Sequence, residues 1–194
     1  MGFLDTLLGR SKPVRPDLDQ LFALPSAAVT LQAGAGLTPT GRGSVCFASV
    51  EGGAFARIQQ DVRELLDADT GRGGVPVEFS RDVYGYTWLL VRRPADADGT
   101  VALVNDLHAV NTLLQEGGFG PQLLCSLLGF RDADRRALAL VYLYKRGSFY
   151  PFAPVAGEKR DNGLELQVRA LLGDDLRIEE DLGRWFPVWG APGL

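Results

Sequence analysis

The chain has little lysine, histidine or cysteine. Lysine occurs only at Lys12, Lys145 and Lys159, histidine only at His108, and cysteine only at Cys46 and Cys125. One histidine and two separated cysteines do not make the ligand sets of structural or catalytic zinc. No metal or other cofactor is therefore expected. A cysteine nucleophile needs a neighbouring base and an electropositive setting. Cys125 instead lies in the apolar run Leu123-Leu124-Cys125-Ser126-Leu127 and reads as a strand core residue. Nothing marks the chain as secreted, so both cysteines are expected to be buried, reduced thiols. His108, between Leu107 and Ala109, reads as a partly buried structural residue rather than a general base.

Long apolar runs are missing too. No stretch approaches the ~20 residues needed to span a bilayer. Phe3-Leu4 and Leu7-Leu8 are interrupted by Asp5, which argues against a signal peptide and for a cytoplasmic location. Basic runs are reduced to the pairs Arg92-Arg93, Arg135-Arg136 and Lys145-Arg146, and the net charge is −4. Phosphate binding needs a concentrated positive face, so nucleic acid is excluded as the main partner. The glycine-rich stretch Thr38–Ser44 lacks the Lys-Ser/Thr and following helix of a phosphate loop and reads as a turn between strands. The acidic pairs Asp174-Asp175 and Glu179-Glu180-Asp181 read as a solvated face.

What is present is an ordinary globular composition: 194 residues, 46% hydrophobic and 23% charged. That suits one domain with appendages. The preference for Arg over Lys, with abundant Ala and Gly, looks like the codon bias of a GC-rich bacterium. Residues 1–16 read as an amphipathic segment and linker, with Phe3, Leu4, Leu7 and Leu8 on one face and Pro13 and Pro16 resisting helix. That face makes Phe3, Leu4, Leu7 and Leu8 candidates for contact with a membrane surface. Residues 17–194 form one domain in this reading, with 174–194 as its tail.

Helical spacing marks three main helices, over about 53–67, 100–116 and 161–172. Gly117-Gly118 ends the second, and Asp161 supplies the N-cap of the third. Leu18, Leu21, Phe22 and Leu24 give a brief helical stripe ending at Pro25, and Ala28–Gln32 resembles a strand. Polar turns at 81–85 and 131–135 separate two hairpins, 75–80 with 86–93 and 122–130 with 137–144. The order helix, hairpin, helix, hairpin, helix predicts an α+β fold, an antiparallel sheet with helices packed on it.

Two aromatic segments stand out. Leu140 to Pro154 reads as a buried strand running into a basic, aromatic, proline-stiffened loop with Lys145, Arg146, Phe149 and Tyr150. The tail carries Trp185-Phe186-Pro187-Val188-Trp189. Such rings are either packed down on the domain or meet a partner. Lys145, Arg146, Phe149, Tyr150, Trp185 and Trp189 are the candidate partner-binding residues. A pocket beneath the 145–154 loop, serving a small ligand or an enzyme, is the alternative.

Several motifs together resemble the PspA-associated PspAB family of actinobacteria. They include Met1–Arg10, Leu18–Pro25, Asp106–Asn111, Gly118–Leu124, Leu140–Pro154, Arg160-Asp161-Asn162 and Arg184–Gly190. The resemblance spans essentially the whole chain. It implies a link to the phage-shock envelope-stress response through the membrane-remodelling protein PspA, and relatives also accompany the membrane protease HtpX. It implies no catalytic residues. The expected function is thus a non-enzymatic adaptor or regulator acting by protein-protein contact. The strand-helix order is also similar to secretion-chaperone-like domains such as YbjN, an analogy of topology alone.

Overall fold

The computed structural model describes residues 16–49, 52–69 and 75–194. The candidate membrane residues Phe3, Leu4, Leu7 and Leu8 lie outside the described residues. Among those residues are four α-helices and a six-stranded sheet. A 3-10 turn, Leu18–Ala23, leads into α1 (Leu24–Ala35) and β1 (Thr38–Ala48). Then follow α2 (Gly53–Asp67), the hairpin β2 (Glu78–Arg81) and β3 (Tyr86–Arg92), and α3 (Ala97–Leu114). The strands β4 (Leu123–Arg131), β5 (Ala137–Leu143) and β6 (Ser148–Phe152) come next. A two-stranded ribbon of β7 (Pro154–Val155) and β8 (Lys159–Arg160) precedes α4 (Asn162–Leu171).

The sheet order is β2-β3-β1-β4-β5-β6, and every pair is antiparallel. The fold is α+β, with both expected hairpins in the sheet. Strand alternation sorts the side chains onto two faces. Val45, Phe47, Leu89, Val91, Phe130 and Tyr142 join the helices in one core. Cys46, Trp88, Cys125, Val141, Tyr150 and Phe152 form a second, smaller cluster with Trp185 and Ala191 of the tail.

Local chemistry places the helix ends. The Asp96 side chain accepts the Gly99 N–H at 2.6 Å to open α3, and the Asp161 side chain accepts the Leu164 N–H at 2.9 Å to open α4. The stripe Phe55, Ile58, Val62, Leu65 and Leu66 marks the inner face of α2: Phe55, Val62 and Leu66 are buried and Ile58 partly so, while Leu65 is exposed.

Three expectations are corrected. Ala28–Gln32 is helical: Leu24, Ala27, Ala28 and Leu31 recur at helical spacing and are buried, while Val29 is exposed. Pro25 does not end the preceding turn but sits in the first turn of α1, where its missing N–H costs nothing. The stretch Thr38–Ser44 is the first half of β1, not a turn, with a register shift between Pro39 and Gly43. Gly41 there has φ 70° and its carbonyl accepts the Arg93 N–H at 2.8 Å, a conformation glycine adopts cheaply.

The aromatic stretch after β5 is likewise mostly strand. A tight turn at 144–147 returns the chain as β6, fully paired to β5 from Leu143↔Ser148 to Ala139↔Phe152. The far edge of β6 is covered by the tail: the Phe149 N–H donates to Arg177 O at 2.8 Å and the Glu179 N–H to Phe149 O at 2.7 Å. This parallel contact, with Phe149 bridged to Ile178, blunts an edge that would otherwise invite pairing with another chain.

Candidate functional site

All four helices pack on one side of the sheet, so the other side is left to the tail. Trp185 is the tail's anchor. It is buried, stacks on Tyr150 with ring centroids 6.2 Å apart, and donates its Nε1–H to Glu179 O at 3.0 Å. Arg160 clamps the same segment: its guanidinium donates to Trp185 O and, through Nε at 2.8 Å, to the buried Glu165 carboxylate. Phe152 meets the Trp189 ring edge-on at 4.8 Å.

Glu179, expected on a solvated face, is buried, with its side chain 5% exposed. It accepts from Ser148 Oγ at 2.9 Å and Arg146 Nε at 3.2 Å. Burial alone pushes a carboxyl up, but these bonds and the Asp181 N–H outweigh it and hold Glu179 below its ordinary range.

The tail does not seal the face. Between it and the β2–β3 turn lies an open cleft of about 540 Å³. Its floor is Trp88, Cys46, Cys125, Leu143 and Tyr150, drawn from five neighbouring strands. Phe186, Val188 and Trp189 form the tail-side wall, with Tyr84 and Tyr86 opposite. Lys145, Arg146 and Arg184 stand at one end. Tyr150, Trp88 and Asp82 of the lining are already engaged within the protein. Tyr150 Oη donates to Phe186 O at 2.7 Å, and Trp88 Nε1 donates to Asp82 Oδ2 at 2.9 Å. Asp82 Oδ1 accepts the Tyr84 and Tyr86 N–H groups, each at 2.9 Å.

Of the six residues singled out from the sequence, Lys145, Arg146, Tyr150 and Trp189 come together at this cleft. Trp185 lies behind it against Tyr150 and borders a smaller pocket of about 280 Å³ with Arg160 and Glu165. Phe149 points to the opposite face, fully buried against Tyr142 at 5.1 Å between centroids, and is core. Sequence reasoning missed Tyr84, Tyr86, Trp88 and Phe186. A signal existed for two of them: in Tyr86-Thr87-Trp88-Leu89, period-two alternation puts both aromatic rings on one face.

Cys46 and Cys125 face each other across β1 and β4 and are both free and buried. The Cys125 thiol beside it, and then burial, push the Cys46 thiol far above its ordinary value, so it is held protonated. His108 is on α3, across the sheet from Cys125. Its ring lies 4.6 Å from that of Phe22, and its Nε2 is 3.5 Å from Asp19 Oδ1. Among the described residues no cluster of three or more His, Cys, Asp or Glu is placed to hold a metal ion. No helix among them is long and apolar enough to cross a membrane.

Fold and site together define an α+β domain with one sheet face closed by helices and the other left with an aromatic, cation-rimmed cleft. A family model described as PspAB, PspA associated protein B, matches residues 1–193, and the chain belongs to that family. No curated protein and no solved structure matches it.

Proposed function

We propose that this chain is a non-enzymatic adaptor or regulator of the phage-shock envelope-stress response, working on the cytoplasmic side by docking a segment of PspA or a related envelope-stress protein. Membership of a PspA-associated family supports the choice of partner. The observation that carries the mode of action is the cleft. Tyr, Trp and Arg dominate the energetic centres of protein interfaces, and here Tyr84, Tyr86, Trp88, Trp189, Arg146 and Arg184 line one open surface. Membrane contact through Phe3, Leu4, Leu7 and Leu8 belongs to the same reading, and liposome flotation with and without residues 2–12 tests it.

A photo-crosslinking amino acid at Tyr84 or Lys145 should capture purified PspA, whereas one at Val29, exposed on α1 across the sheet, should not. Equal capture from both faces, or capture from Val29 alone, would overturn docking at the cleft. The cleft also favours a second reading, a small apolar ligand bound beneath the aromatic rim. Thermal stabilisation by such a ligand, with none from PspA, would select that reading.

A further inference from the structure

The walls of the cleft restrict what can fill it. With Tyr150, Trp88 and Asp82 already hydrogen-bonded within the protein, the floor's side chains offer a guest's amides few partners. An extended peptide would lose its water there and recover little, and a nucleotide or sugar would lose more. Two shapes enter without that penalty: an alkyl chain, and a helix, whose backbone groups are satisfied internally.

The length of the floor sizes the guest, and the exposed rim decides between the two. The floor crosses β3, β1, β4, β5 and β6, from Trp88 to Tyr150. Four strand spacings of ~4.8 Å make about 19 Å. A helix rising ~1.5 Å per residue spans that in about 13 residues. The rim is greasy: Tyr84 is 70% exposed and Phe186 58%. A thin alkyl chain would leave those rings in water, whereas a helix ~10 Å across covers them. Charge sets the polarity of the guest. Lys145 has no ion pair among the described residues, and Arg146 meets only Glu179. Carboxylates on the guest complement that end.

We infer that the cleft receives an amphipathic helix of about 13 residues from a partner protein, its apolar stripe across the sheet and its acidic end against Lys145 and Arg146. The inference rests on the adaptor reading and supplies the chemistry of the docked segment.

The test uses the full chain and two fluorescent helical peptides of equal length. One has a leucine stripe and glutamates at one end; the other has lysines in their place. Anisotropy should show the acidic peptide bound and the basic one at least about tenfold weaker. Lys145→Glu and Tyr84→Ala, both at exposed positions, should each weaken the acidic peptide roughly three- to tenfold with unchanged Tm, and Val29→Ala should not. Equal binding of the two peptides overturns the inference, as does binding of neither. Palmitate binding without peptide binding overturns it in favour of the alkyl ligand. PspA crosslinked at the cleft with no peptide bound would sink the helix and spare the adaptor. Acidic peptide bound without PspA capture would do the reverse.

Discussion

The two faces of the sheet are finished differently. On one, helices α1 to α4 and the sheet share a continuous core, and the charged groups admitted to it are paired. Arg93, with 4% of its side chain exposed, meets Asp106 through Nε at 2.7 Å and Nη2 at 2.8 Å. On the other, a tail with little regular structure is held at a few points, Trp185, Glu179 and the Gly193 carbonyl packed over Gly129. Here the helix layer buries the central strands' residues almost entirely. A tail covers what its anchors reach, and the remainder of this face is the cleft. The contrast shows how one chain keeps a rigid platform and an accommodating surface back to back.

The sharpest way to break the comparison is to injure the helix face. Asp106→Ala leaves the buried Arg93, among the described residues, with the half-exposed Asp69 at 2.5 Å from Nη2. Breaking a buried pair from one side costs about 3–5 kcal/mol. The low end, about 3 kcal/mol, is expected here, read by urea unfolding. Asp69→Ala, at the exposed end of the same network, should cost no more than ~1 kcal/mol. Equal losses would show that the platform is less closed than described.

Trp185→Ala injures the tail face. Truncating a large buried ring costs about 3–5 kcal/mol in a core that cannot yield. The tail can release without taking the sheet with it, so about 2–3 kcal/mol is expected. Hydrogen exchange should show the distinction: amides near Phe149 and Glu179 lose protection, while β1 and β4 keep theirs. Uniform loss would mean that the tail and the platform unfold as one unit.

The legibility of the chain in its sequence follows the same division. α2, α3, α4 and both hairpins were readable, because period and turn chemistry are local signals. β1 was half hidden: Gly41 and Gly43 look like loop residues, and only the pairing with β3 and β4 makes them strand. α1 was obscured by Val29-Thr30, β-branched residues on its exposed or half-exposed side. The site was legible in its residue types but not in its assembly. Lys145, Arg146, Tyr150 and Trp189 were visible as unusual residues, yet Phe149 differs from Tyr150 only by the parity of a strand whose register the sequence does not state. Tyr84 and Trp88 reach the cleft through a sheet order that runs against chain order.

Acid sharpens the contrast more gently. Glu179 is held below its ordinary 4.5 in the folded chain. Its contribution to stability is therefore fully present above the unfolded value and lost as pH falls through the folded one. Glu179→Gln lacks this titration. The Tm gap between the native chain and the variant should narrow as pH drops from about 5 to 3. A constant gap would show that the carboxylate's charge contributes nothing to tail docking.

The smallest effect on stability should come from Tyr84→Ala and Phe186→Ala at the cleft's lips. Both rings are largely in water already, at 70% and 58% exposure, so each truncation should shift unfolding by no more than ~0.5 kcal/mol. The prediction discriminates because the two lips stand on different supports. Tyr84 rides on the β2–β3 turn, whose Asp82 carboxylate bonds the Tyr84 and Tyr86 N–H groups, whereas Phe186 hangs from the tail through Tyr150 Oη on its carbonyl. Those supports involve no lip ring, so removing a ring leaves them intact. If Phe186→Ala melts the tail while Tyr84→Ala leaves the turn unchanged, the Phe186 ring is part of the tail's anchoring. The tail face would then be more completely finished than its exposure implies.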